Sequence, residues 1–209
     1  DKILLTSYKG NVVNYGSMTS TNSSVSLTAA GVYETANNNN HDIVNNITNT
    51  GSITAAQEVL LRTVNGSIDN QNQIISQNST VTIKAEQHST YDGNEAVGDI
   101  SNGVGTVYDT VADITAAKGI TLQAAGDIHN IGDYIVTSSG DIGVEAGKKI
   151  TNVGNYTVSH DGDIVVIAGY EVRNNGNYRI NGAGNIAVTA TGVTAESTGT
   201  SEITGGDII

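Results

Sequence analysis

The 209-residue chain contains no cysteine, proline, tryptophan or phenylalanine, and a single methionine. Without cysteine there is neither a disulfide framework nor a thiolate metal site, which leaves the compartment open, secretion included. Only 9 Lys and Arg stand against 21 Asp and Glu, giving a formal net charge of −12. That balance excludes nucleic acid and anionic membrane surfaces as partners, because both are held by clustered cations. No run of 18 apolar residues occurs, so no membrane span is expected. Asp1 opens no charged-then-apolar signal segment.

What the chain does have is a period. The triplet Ile142/Val144/Ala146 returns as Ile164/Val166/Ala168 and as Ile186/Val188/Ala190, each copy 22 residues after the last. Asn130, Asn152 and Asn174 keep the same step, as do Tyr134, Tyr156 and Tyr178, and Gly140, Gly162 and Gly184. Earlier triplets extend the register through Ile3, Val25, Val59, Val81 and Ile120 to a terminal Ile208. Two intervals break it: Val25 to Val59 is 34 and Val81 to Ile120 is 39. Self-similarity at a short fixed period is the signature of a repeat architecture.

Within each copy, apolar and polar residues alternate, as in Val81-Thr82-Ile83-Lys84-Ala85. Period two with β-branched side chains means strands, and recurrent glycine argues against helix. A unit this short cannot bury its own apolar face, so it stacks on copies of itself. The expected fold is all-β, a right-handed parallel β-helix (solenoid) with 22-residue coils, about eight coils and two loop insertions, the hand following the general rule for parallel crossovers. The eight intervals from Ile3 to Ile208 span on the order of 40 Å at roughly 4.8 Å each. A single β-helical repeat fragment covers residues 1–209, with insertions at roughly 30–46 and 86–99 and a smaller irregularity at 103–110. Strand-like residues at Asp1 and an unfinished repeat at Gly205 to Ile209 read as a fragment of something longer, whose cut ends favour end-to-end self-association.

Asn14, Asn49, Asn70, Asn102, Asn130, Asn152 and Asn174 form one series, each two residues after an apolar strand position. Stacked amides at a tight corner satisfy backbone groups and one another, so the series is expected to be a structural ladder. Tyr134, Tyr156 and Tyr178 occupy positions taken by Met18, Ile53 and Ile74 in earlier copies, which makes them core-facing or partly covered, with a carbohydrate platform as the alternative.

An enzyme reading requires paired carboxyls on one face, or a base beside cations that hold a uronate. Asp127, Asp133, Asp141, Asp161 and Asp163 lie mostly at turns beside glycine, and Arg62, Arg173 and Arg179 are scattered. No catalytic residues are assigned, and a polysaccharide-active enzyme ranks last among the readings. His41, His88, His129 and His160 lack metal-ligand spacing, so neither metal nor cofactor is assigned. Loops free of ladder constraints carry recognition, which makes Tyr33, Asn39, His41, His88, Tyr91 and Tyr108 the candidate partner contacts.

The repeats Gly126-Asp127-Ile128-His129-Asn130-Ile131-Gly132, Ile47-Thr48-Asn49-Thr50-Gly51-Ser52-Ile53-Thr54-Ala55 and Lys149-Ile150-Thr151-Asn152-Val153-Gly154 resemble those of filamentous haemagglutinin-like exoproteins. The resemblance covers the chain apart from its insertions. It implies a β-helical stalk of a secreted bacterial cell-surface adhesin or of a contact-dependent inhibition protein, exported by two-partner secretion through an outer-membrane transporter. It further implies a receptor or glycan on a host or neighbouring cell as partner. The family's secretion domain carries Asn-Pro-Asn motifs, absent from a chain without proline, and these 209 residues hold no toxin-like stretch. The expectation is therefore stalk alone, with a self-assembling extracellular filament subunit as the alternative.

Overall fold

The computed structural model describes residues 1–30, 45–87, 98–103, 112–192, 194–197, 199 and 201–203. Among them every regular element is a strand, 24 in all, gathered into three sheets of eight. The first sheet runs from Ile3–Ser7 through Val25–Ala30, Val59–Val64, Thr80–Glu86, Gly119–Ala124, Asp141–Ala146 and Ile164–Ala168 to Ile186–Ala190. The second begins with Val12–Asn14 and Ile47–Asn49, the third with Met18–Ser20 and Ile53–Ala55. Each turn of chain contributes one strand to each sheet, and each strand pairs in parallel with its equivalent one coil away. The fold is a right-handed parallel β-helix of eight described coils, numbered here one to eight from the chain start, and seven rises of roughly 4.8 Å give a length of about 34 Å.

The register is the one that the 22-residue period predicts. Ile142 pairs with Ile164 and Ile164 with Ile186, while Val25 pairs with Val59 and Val81 with Ile120 across the two long intervals. A regular coil divides as 8, 6 and 8 residues, from Ile142 to Ile150 to Tyr156 to Ile164. Residues 31–44 and 88–97 both join a first-sheet strand to a second-sheet strand, in coils two and four. Residues 104–111 join the second sheet to the third in coil four. The second long interval thus divides between two corners of one coil.

Alternation decides what lies inside. In Val59–Val64 and Thr80–Glu86 every second residue is buried, because side chains of a strand point alternately to its two faces. One continuous core fills the lumen with Ile, Val, Leu and Ala from all three sheets, among them Leu27, Leu61, Ile83, Ile120, Ile142 and Ile164. Each large aliphatic side chain removed from water stabilises by roughly 1.5–3 kcal/mol before chain entropy is counted.

Two glycines show why the corners tolerate no side chain. A Cβ added at Gly154 would overlap the Gly132 carbonyl, and one at Gly176 would overlap the Gly154 carbonyl. Successive coils approach there backbone to backbone, a separation only glycine permits.

Candidate functional site

The asparagine series forms a hydrogen-bonded ladder along the lumen side of one corner. Asn14 donates from Nδ2 to Asn49 Oδ1 at 2.7 Å, Asn49 to Asn70 at 2.6 Å, and Asn70 to Asn102 at 2.7 Å. Asn102, Asn130 and Asn152 continue it to Asn130, Asn152 and Asn174 at 2.7, 2.7 and 2.6 Å. The second N–H of Asn130, Asn152 and Asn174 donates to the carbonyl two residues on, at Gly132, Gly154 and Gly176. All seven amides are buried. Every donor points toward the next coil, so the dipoles align and reinforce one another.

Beside the ladder, Tyr134, Tyr156 and Tyr178 stack in the core, with ring centroids 4.7 and 5.0 Å apart. They continue the column of Met18, Ile53, Ile74 and Ile114. At 0–1% exposure they offer no platform to an outside sugar. Among the described residues their hydroxyls meet no hydrogen-bond partner, and burial raises all three phenol pKa values.

At the outer corners, a second kind of ladder employs the aspartates. Asp99 Oδ1 accepts the Asp127 amide at 2.7 Å and Asp127 Oδ1 accepts the Lys149 amide at 2.9 Å. Asp113 caps Asp133, Asp133 caps Asn155 and Asn155 caps Asn177 in the same way. A third series runs from Asp141 through Asp163 to Asn185. Each side chain holds the backbone N–H of the next coil. Burial raises the Asp99 and Asp113 carboxyls above the usual aspartate range.

Sequence reasoning scattered the cations. Arg62 forms a two-bonded pair with Glu86, at 3.1 Å from Nε and 2.6 Å from Nη2, and its hydrogen bond holds that carboxyl below the usual range. Lys149 and Arg173 both reach Glu171, at 3.4 and 2.7 Å. Lys149 Nζ also stands 5.3 Å from the Tyr170 ring centre. Among the described residues no three His, Cys, Asp or Glu side chains gather as a metal site, and no helix is long and apolar enough to cross a membrane. Tyr33, Asn39, His41, His88, Tyr91 and Tyr108 lie outside the described residues.

The chain matches no protein-family model, no curated protein and no solved structure. The site has to be read from its own geometry.

One external feature escaped the sequence reading. Along coils five to seven a groove of about 350 Å³ runs beside the third sheet, lined by Asp133, Ile135, Asn155, Thr157, Asn177 and Arg179. Asp133, Asn155 and Asn177 form one wall, each gripping the next. Ile135, Thr157 and Arg179 form the other, in register on the outward face of Tyr134–Val136, Tyr156–Val158 and Tyr178–Ile180. Both sets recur at 22 residues, so the period contained the signal. What was missing was the knowledge that the two sets flank one furrow.

Proposed function

We propose that this chain is a structural and adhesive stalk segment of a large secreted bacterial cell-surface exoprotein of the filamentous haemagglutinin type, without catalytic activity. The observation that supports the reading is the unbroken stacking of one cross-section over eight coils, with carboxylates committed to capping backbone amides. A rod of this kind lengthens by adding coils and holds distal parts away from a surface. Its partners on this reading are a receptor or glycan on a host or neighbouring cell and, for the full-length protein, an outer-membrane transporter of two-partner secretion. The stalk presents an adhesive surface of its own or a distal domain, as in contact-dependent inhibition.

Beads coated with the chain are expected to attach to epithelial or bacterial cell layers more than beads coated with an unrelated β-rich protein. Attachment at the control level on every layer refutes the adhesive part. Incubation with pectin and chondroitin is expected to yield no new reducing ends or unsaturated products; either product would support the enzyme reading instead.

A filament subunit is the second reading, favoured by the first coil. Its outward residues Leu4, Tyr8, Val13 and Tyr15 are 62%, 69%, 41% and 82% exposed. Exposed apolar side chains grouped on one coil suit contact with another copy. Light scattering that remains monomeric at millimolar concentration removes this reading.

A further inference from the structure

We propose that the groove along coils five to seven binds a neutral glycan chain lying parallel to the rod axis. The inference rests on the adhesive reading above and gives it a location and a ligand class.

The groove's polar groups are set before any ligand arrives. Asp133 Oδ1 accepts both the backbone and side-chain N–H of Asn155, at 2.7 and 3.1 Å. Asn155 Oδ1 accepts the corresponding pair from Asn177, at 3.1 and 3.0 Å. On the opposite wall Arg179 donates from Nε to Asn181 Oδ1 at 2.8 Å, which orients the guanidinium. Side chains already ordered lose little entropy on binding, so modest contacts suffice for recognition.

The chemistry of the walls selects the ligand. Carboxylate, amide, hydroxyl and guanidinium groups face one furrow, offering donors and acceptors together, while Ile135 supplies an apolar contact. That mixture suits a ring bearing hydroxyls at its rim and C–H bonds on its face. The groups recur once per coil, at roughly 4.8 Å, so three coils cover about 10 Å. The furrow is open to solvent, which suits a linear polymer laid along it.

Competing ligands fit less well. A peptide strand would need a free sheet edge, but Tyr134–Val136, Tyr156–Val158 and Tyr178–Ile180 are each paired on both sides. A polyanion would meet Asp133 in the groove and a chain of net charge −12, with Arg179 as the groove's one cation.

The test is an NMR titration of the isotope-labelled chain with cellohexaose, chitohexaose and maltohexaose, and with a heparin hexasaccharide. At least one neutral probe is expected to shift, saturably, amides in segments 133–135, 155–157 and 177–179. Thr157→Trp, which fills the furrow from the outward face, and Arg179→Ala are each expected to weaken that binding tenfold or more, with an unchanged circular dichroism spectrum and urea midpoint. The proposal is overturned by absence of saturable shifts with all three neutral probes, by shifts confined to other segments, by heparin binding there in their place, or by binding that survives Thr157→Trp. Bead attachment separates the two readings. Attachment unaffected by Thr157→Trp refutes the groove and keeps the adhesive stalk. Groove binding without attachment refutes adhesion and keeps the groove.

Discussion

Replacing Asn152 by alanine tests the asparagine ladder at its most constrained point. The substitution removes the acceptor of the Asn130 side chain, the donor to Asn174 Oδ1 and the donor to the Gly154 carbonyl. All three partners sit where water does not reach, since Asn130 and Asn174 are 0% and 1% exposed and Gly154 is buried. Each buried polar group left without its partner costs about 1–3 kcal/mol, and partial relaxation around the vacated amide recovers some of the total, so the expected loss is about 3–6 kcal/mol. Urea unfolding followed by far-ultraviolet circular dichroism measures it, with Ser139→Ala as an exposed control expected to change stability by less than about 0.5 kcal/mol. Because each coil is stabilised by its neighbours alone, the variant is also expected to unfold in two steps separated at coil six. Asn152→Asp sharpens the test. A carboxylate can accept from Asn130 but cannot donate to Asn174 or Gly154, and burial raises its pKa, so its stability is expected to fall as pH rises through that raised value. A loss below about 1 kcal/mol for Asn152→Ala would refute the ladder as a main support of the corner.

Three further outcomes follow from the same geometry. Gly154→Ala is expected to destabilise by several kcal/mol, because the new Cβ overlaps the Gly132 carbonyl, whereas Gly143→Ala, whose Cβ meets nothing within 4 Å, is expected to be neutral in the same urea assay. Tyr134→Phe is expected to raise the thermal midpoint or leave it unchanged, since the deleted hydroxyl has no partner among the described residues; a fall of several degrees would show that the hydroxyl is satisfied in solution. Asp99 and Asp113 have folded-state pKa values raised by burial, so their contribution is present below the ordinary aspartate value and is lost as pH rises through the raised one. Converting both to Asn, the residue that already caps at 11, 46 and 155, is expected to increase stability at pH 7 and flatten its decline above about pH 4; an unchanged pH profile counts against this assignment.

Most of the fold was legible because each landmark recurs at the pairing distance in sequence. Ile142, Ile164 and Ile186 pair as their spacing requires, and the long intervals ending at Val59 and Ile120 pair just as well, since extra residues at a corner leave the strands free to realign. The asparagine ladder was legible for the same reason. The sequence leaves the tyrosine position between core and partly covered corner, because neighbouring apolar residues specify a face and do not specify how completely it is sealed. The groove was not legible. Asp133 and Ile135 belong to a turn and a strand that share the 22-residue period, and sequence spacing does not say how two ridges stand across a gap.

The sequence by itself determined the coil, its strands, its inward face and the corners that need Gly or Asn. These depend on local alternation and on a repeat that makes every coil the partner of the next, so one-dimensional information suffices. Tertiary structure alone decided that the tyrosine rings are sealed, their hydroxyls without a partner among the described residues, and that two ridges enclose a furrow. Those features depend on distances across the lumen or around a corner, between residues whose separation in the chain carries no information about separation in space.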